Sequence, residues 1–338
     1  MRDAPLRIGI LGAAKIAPFG IIRPARHVAD AEIVAVAARD EGRARKFAAK
    51  HGIPRPLASY EALLADPGID AIYNPLPNGL HCEWTVRALE AGKHVLCEKP
   101  LASNAEEAEH MSAASASTGR KLMEAFHWRY HPLAERMKQI VDGGSLGVVR
   151  RIEVRMCLPV PIPGDIRYRY DLAGGATMDM GCYTISILRF LAGAEPEVVS
   201  AKALLSSPDV DRAMRAEFRF ADGRTGFIHC SMFSASMLSL GAKVVGDDGE
   251  LSVLNPIAPH LLNRVKLRTA AGTRTERVGG DATYTSQLRA FTAYVRGDVS
   301  VPTDAAHGIA NMRVIDAVYD AAGMKRRGSS GRETAARS

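Results

Sequence analysis

Short, almost purely apolar runs recur through the first 125 residues: Leu6–Gly12, Glu32–Ala38, Ile69–Tyr73, His94–Cys97 and Leu122–Ala125. A strand that is apolar along its whole length has both faces covered, as in a parallel sheet. Between these runs lie helical stretches: one after the first run, then Glu41–His51, Leu80–Ala91 and Ala105–Ser117. Strands alternating with helices of this length imply right-handed βαβ crossovers. The expectation is an α/β fold with a Rossmann-type, doubly wound parallel sheet.

Beyond about residue 130 the pattern changes. Pro132–Val141 reads as a helix, Val148–Leu158 alternates polar and apolar, and a proline-rich break (Pro159–Asp165) precedes a helix at Ala176–Leu191. Strand candidates from Glu197 to Val278 are separated by turn signals at Asp222-Gly223 and Asp247-Asp248-Gly249, which indicates an antiparallel sheet. Its alternation allows an apolar open face. Helical patterns at Tyr284–Arg296 and Asp304–Ala322 close the chain. The expected organisation is a dinucleotide-binding domain over 1–126, an α+β domain with a large open-faced sheet over 127–323, and a flexible basic tail over 324–338. A chain of 338 residues suits two domains.

Composition narrows the function classes. Lys and Arg number 44 against 37 acids, a net charge of +7, part of it in the stretch from Lys325 onward. No basic stripe with interleaved aromatics argues for nucleic acid. No apolar run approaches the roughly 20 residues that span a bilayer. Cys82, Cys97, Cys157, Cys182 and Cys230 are odd in number and scattered, without a CxxC pair, so neither a zinc cluster nor a disulfide framework is expected. The N-terminus lacks a signal-peptide pattern, and a cytoplasmic location is expected.

The first strand runs into Gly9-Ile10-Leu11-Gly12-Ala13-Ala14-Lys15-Ile16. Glycine at a strand-to-helix turn gives a dinucleotide's pyrophosphate access to bare backbone N–H groups. The glycines are three apart, which departs from GxGxxG, and Ala14 stands in for one of them. After the second strand comes Ala38-Arg39-Asp40, with Arg43 one turn later. Two guanidinium groups suit the 2′-phosphate of NADP, whereas Asp40 tolerates the ribose hydroxyl of NAD; read alone, Arg39 is equally a solvated surface residue. The strand His94–Cys97 runs into Glu98-Lys99-Pro100. A lysine at the carboxyl end of a parallel strand lies where ligands bind. In Thr177-Met178-Asp179-Met180-Gly181-Cys182-Tyr183, a helix starting at Ala176 puts Asp179 and Tyr183 on one face, a carboxylate beside a phenol. A capping Asp and a half-buried Tyr are the plainer alternative.

Together these motifs, with Glu124-Ala125-Phe126-His127-Trp128-Arg129-Tyr130-His131-Pro132, resemble the glucose–fructose oxidoreductase, inositol dehydrogenase and rhizopine-catabolism (Gfo/Idh/MocA) family over residues 6–323. The resemblance implies that Gly9, Gly12, Ala13, Lys15 and Ile16 lie on the pyrophosphate turn and that Ala38, Arg39 and Arg43 surround the adenosine ribose. It implies a cofactor loop with Asn74, Pro75, Leu76, Asn78 and His81, and a pair Glu98 and Lys99 with Lys99 at the reactive carbon. Trp128 and Arg129 would line the nicotinamide end. Asp179 and Tyr183 would bind substrate and transfer a proton, Tyr183 helped by Lys99.

Tyr183, where many inositol dehydrogenase-like members carry His, resembles the dihydrodiol dehydrogenase and sugar 3-ketoreductase subgroup. Asp165-Ile166-Arg167 resembles that subgroup's Asp-Trp-Arg, with Ile166 removing an aromatic platform; Arg167 is then a substrate contact or a surface ion-pair residue. The implied function is an NADP(H)-preferring oxidoreductase, with NAD(H) possible, acting on a secondary alcohol or ketone, or on C1, of a sugar or cyclic polyol. No metal is required, and the sheet would form a homodimer or homotetramer. A non-catalytic NADP-binding sensor, an NAD-dependent inositol or sugar dehydrogenase, and a cofactor-retaining glycosidase or isomerase are the competing readings.

Overall fold

The computed structural model describes residues 4–160, 164–233, 235–236 and 238–328. Its described residues form two compact units. The first unit holds the described residues up to Ala102, with Glu106–Tyr130 and Ala282–Ile309; the second holds Ser103–Ala105, His131–Asp281 and the described residues from Ala310 on.

In the first unit, β1 (Leu6–Leu11), β2 (Ala31–Ala37), β3 (Arg55–Leu57), β4 (Ala71–Asn74), β5 (His94–Cys97) and β6 (Leu122–Glu124) form one sheet. Its order is β3-β2-β1-β4-β5-β6 and all pairs are parallel. The order reverses between β1 and β4, and the crevice at such a switch point is where open α/β sheets bind ligands. Two elements escape the sequence pattern, strand β3 and the helix Tyr60–Ala65. Both are too short to show a period. The helix 283–296 belongs here rather than with the second sheet, because Leu288 and Phe291 are buried in the same core as Ile21, Ile22 and Val28. Packing therefore does not divide the chain at a single point near residue 126.

In the second unit, β7 (Val149–Cys157), β8 (Glu197–Ser207), β9 (Val210–Arg219), β10 (Thr225–Ser231), β11 (Ser239–Gly246), β12 (Gly249–Leu254), β13 (Arg264–Thr269) and β14 (Gly272–Glu276) form the sheet β14-β13-β12-β11-β7-β10-β9-β8. Only β7 and β10 pair in parallel. The helix Cys182–Ala192 covers one face; a Cβ on Gly226 of β10 would lie 3.1 Å from its Leu188.

The opposite face is not the apolar surface that the alternation allows. Lys202, Arg215, His229 and Arg155 stand in one cross-strand row, and Glu217, Phe227, Glu153 and Lys243 in the next. The expected tail is corrected as well. Met324 is buried and Arg327 has no exposed surface, so the chain stays packed at least to Arg327; the tail beyond Gly328 lies outside the described residues, as do residues 161–163 of the proline-rich break.

Candidate active site

The turn after β1 shapes the crevice end of the first unit's sheet. Gly12 holds φ +87°, a left-handed conformation that costs other residues about 1–2 kcal/mol. A Cβ there would lie 3.0 Å from Leu76 and 3.6 Å from the Tyr60 hydroxyl. Gly9 does other work: it sits inside β1, and its missing Cβ makes room for Ile69 and Leu63 at 3.1 and 3.2 Å. It is a packing glycine, not part of the turn. Ala13 and Ile16 are partly exposed and Lys15 is exposed on the stretch that follows.

Past the end of β2, Ala38 is buried while Arg39 and Arg43 are exposed. Asp40 caps the helix Glu41–His51, its Oδ1 accepting from the Arg43 N–H at 2.8 Å. That carboxylate is committed to the backbone, while the two arginines stay exposed. Their charges reach Tyr60: burial raises its phenol pKa, and the Arg39 and Arg43 charges oppose that shift. Tyr60 was not legible as a site residue because its helix went unread; Ser59, whose Oγ accepts from the Ala62 N–H at 3.1 Å, was the available cap signal. A left-handed glycine in the first turn and two guanidiniums beyond the second strand fit a phosphorylated dinucleotide.

Lys99 follows β5 and is partly exposed, with a cis bond to Pro100. Nearly every group around it is tied down. Glu98 is 7% exposed, takes the Tyr73 hydroxyl at 2.6 Å, and its N–H reaches the Asn74 carbonyl at 3.0 Å. The Leu101 N–H donates to Oε1 of the fully buried Glu124 at 2.8 Å. The other Glu124 oxygen lies 3.2 Å from His307 Nδ1. Asn74 and His81 are not cofactor contacts through their side chains, because both are fully buried. Asn74 bonds Thr85 at 3.1 Å and takes the Leu76 N–H at 3.3 Å. His81 is a strut between two loops, with Nδ1 2.9 Å from the Pro100 carbonyl and Nε2 2.8 Å from that of Leu76. Pro75 and Leu76 are buried beside it, and Asn78 is partly exposed. Trp128 is 1% exposed, Arg129 more so, on a short 3₁₀ turn His127–Tyr130.

Burial pushes His81 down to about 4 against the pull of its two carbonyls, with the Lys99 charge adding to the depression. Burial also takes His94 to about 4. An unfolded imidazole titrates near 6.5. Between pH 6.5 and 4 the unfolded chain therefore holds protons that the folded chain lacks. Stability is expected to fall as pH drops through that window, by up to about 1.4 kcal/mol per pH unit for each histidine. Thermal melts at pH 7 and pH 5 check this; an unchanged melting temperature contradicts it.

In the second unit the expected single helix starts differently. Thr177–Gly181 is a π-helical turn, and the α-helix begins only at Cys182. Such turns are frequent at functional sites. Asp179 is partly exposed and Tyr183 is 5% exposed. Arg167 is ion-paired: its Nε donates to Asp179 Oδ2 at 2.8 Å, and its Nη1 donates to Asp165 at 3.0 Å. The Asp179 charge, chiefly, raises the Arg167 pKa. Asp165 thus holds Arg167, and Arg167 holds Asp179. Ile166, in place of an aromatic residue, is 48% exposed.

No group of three or more His, Cys, Asp or Glu side chains placed to hold a metal occurs among the described residues. His127 bonds Thr283 at 2.8 Å, and His131 caps the helix Pro132–Asp142. Among the described residues no helix is long and apolar enough to cross a membrane.

Comparison with known proteins covers both units. Residues 6–126 match the family model described as oxidoreductase family, NAD-binding Rossmann fold, and residues 134–252 match the GFO/IDH/MocA C-terminal domain. The D-xylose 1-dehydrogenase (NADP(+)) 2 of Haloferax volcanii is 36% identical over 321 residues, 94% of this chain and 97% of the relative. The trans-1,2-dihydrobenzene-1,2-diol dehydrogenase of Xenopus tropicalis is 32% identical over 248 residues, 72% of this chain and 74% of that one. Among solved structures, KijD10, a 3-ketoreductase from Actinomadura kijaniata in complex with NADP and TDP-benzene, superposes with a TM-score of 0.87 at 28% identity, covering 94% of this chain and 98% of that one. The chain belongs to the Gfo/Idh/MocA family of NAD(P)-dependent oxidoreductases.

Proposed function

We propose that the chain is an NADP(H)-preferring oxidoreductase acting on a secondary alcohol or ketone, or on C1, of a sugar or related cyclic polyol. The observation that carries the reading is Lys99, a cation at the carboxyl end of β5 on a loop held by the buried side chains of His81 and Glu124. The names of the relatives, a xylose dehydrogenase and a sugar 3-ketoreductase, support the substrate class. The bound cofactor supplies the nicotinamide that gives or takes the hydride. Gly12 admits the pyrophosphate to the backbone, and Arg39 and Arg43 pair with the 2′-phosphate. Lys99 stabilises negative charge on the substrate oxygen, and Tyr183 exchanges a proton with it. Asp179, oriented by Arg167, accepts from a neighbouring hydroxyl. Five buried free thiols suit a reducing compartment, and the reading assigns the enzyme to the cytoplasm.

The test has two parts. Incubation with NADP⁺ and a panel of aldoses including D-xylose is expected to yield reduced nicotinamide absorbance, and NADPH with ketosugars its loss; no turnover in either direction defeats the reading. In fluorescence titrations NADPH is expected to bind at least about tenfold more tightly than NADH, a charge-assisted bond being worth about 1.5–3 kcal/mol. Arg39→Ala is expected to erase most of that difference. Equal affinities in the unaltered protein remove the argument from Arg39 while leaving Lys99 in place.

The sheet face with a basic row beside the mixed row Glu217, Phe227, Glu153 and Lys243 is the surface assigned to assembly, and the reading includes a homodimer or homotetramer through it. Light scattering at micromolar concentration checks this; a monomer overturns it.

A further inference from the structure

Arg327 comes from a basic run that composition alone assigns to solvent, yet no part of it is exposed. After the helix Ala305–Ala321 the chain turns at Gly323, where φ is +66°, and feeds this side chain inward. Its Nε donates to the Gly174 carbonyl at 2.8 Å, its Nη1 to the Lys325 carbonyl at 3.0 Å, and its Nη2 to Asp211 Oδ1 at 3.0 Å. The guanidinium lies 4.1 Å from the Tyr319 ring centroid and 5.1 Å from that of Tyr170. Two further bonds hold the segment: the Asn104 side chain donates to the Arg327 carbonyl, and the Tyr170 hydroxyl to that of Arg326, both at 2.8 Å.

Asp211, also without exposed surface, carries the connection onward. Its Oδ2 accepts from both the N–H and the hydroxyl of Thr177 at 2.7 Å, and its Oδ1 from the Tyr319 hydroxyl at 3.0 Å. Burial, with the Asp211 charge beside it, pushes the Tyr319 phenol well above its ordinary pKa, so it remains a donor. Three of these contacts end on the run Gly174–Thr177, at the Gly174 carbonyl and at the N–H and hydroxyl of Thr177. That run leads directly into the π-turn carrying Asp179 and the helix carrying Tyr183. Burying an ion pair is a poor way to gain stability, since apolar residues of similar volume serve as well or better. Directional contacts to one peptide segment are what apolar residues do not supply.

We propose that Arg327, acting through Asp211 and Gly174, is a positioning residue for Asp179 and Tyr183, so that the segment following the helix Ala305–Ala321 sets the geometry of these two substrate residues. This rests on the reading of Asp179 and Tyr183 as substrate residues.

The test is the full-length double variant Arg327→Met with Asp211→Asn, which removes both charges at similar volume, alongside the single variant Arg327→Lys. Each is assayed for NADPH affinity by fluorescence and for kcat and KM with NADP⁺ and the best aldose of the D-xylose-containing panel. The double variant is expected to bind NADPH as the unaltered protein does and to lose about 100-fold in kcat, the scale of a misplaced reacting group, with a raised KM. Arg327→Lys, which keeps the charge without the fork, is expected to lie between the two. A folded double variant with kcat and KM within about twofold of the unaltered protein overturns the proposal. If the double variant does not fold, Arg327→Lys decides: full activity in it overturns the proposal, and a loss of kcat at unchanged NADPH affinity supports it. An unaltered protein that binds NADPH but turns over no sugar defeats the underlying reading, and this inference falls with it.

Discussion

Lys99→Met is expected to lower kcat by about 10²–10³-fold, the scale of removing one preorganised charge from a developing oxyanion, while NADPH affinity stays within about twofold. The two effects separate because the groups expected to hold the nucleotide, Gly12, Arg39 and Arg43, are distant in sequence from the lysine and keep their own supports. Methionine preserves the unbranched stem and removes the ammonium group with its charge and donors. The loop has no reason to collapse, since His81 and Glu124 bond its backbone at Pro100 and Leu101 rather than the lysine side chain. Steady-state kinetics in both directions, with a fluorescence titration of the same preparation, measure the two quantities. Activity retained within about tenfold would remove Lys99 from the chemistry. Loss of NADPH binding together with activity would instead mean that Lys99 serves the cofactor.

Gly175→Ala is expected to destabilise the protein by about 3–5 kcal/mol, the cost of parting a buried ion pair, and to lower Tm by roughly 10 °C. Gly175 holds φ +139°, and a Cβ built there would meet Asp211 Oδ1, with the Tyr319 hydroxyl at 2.9 Å and Arg327 Nη2 at 3.0 Å. Moving Asp211 aside breaks bonds, because the Tyr319 hydroxyl and Arg327 Nη2 both donate to its Oδ1. Gly223→Ala is the control. It too has positive φ, +86°, but nothing lies within 4 Å of its added Cβ, so only backbone strain of about 1–2 kcal/mol is expected. Calorimetric melts of both variants decide the matter: equal losses would show that the buried cluster does not care about the extra atom.

These two glycines show where a sequence stops speaking. The parallel sheet was legible because its strands are apolar on both faces and separated by helices of standard length, a periodicity each segment carries by itself. The lysine after β5 and the glycine turn after β1 were legible for a related reason: each stands at a fixed offset from a strand end. β3, with three residues, and the helix Tyr60–Ala65, with six, are shorter than a readable period, and Tyr60 was missed with them.

Other features depend on residues far apart in the chain. His81 is a strut because Leu76 and Pro100 bring carbonyls to both its nitrogens. Gly9 is a packing glycine because Leu63 and Ile69 close over it. The helix 283–296 joins the first unit because its apolar side chains complete that core. Arg327 is interior because Asp211, 116 residues earlier, waits for it. By itself the sequence determined the repeating elements and the chemical types at their ends, since these follow from local periodicity and backbone preference. Which polar side chains are spent on holding loops, and which remain for chemistry, was decided only by the tertiary structure, because a buried donor or acceptor takes whatever partner the fold brings within about 3 Å.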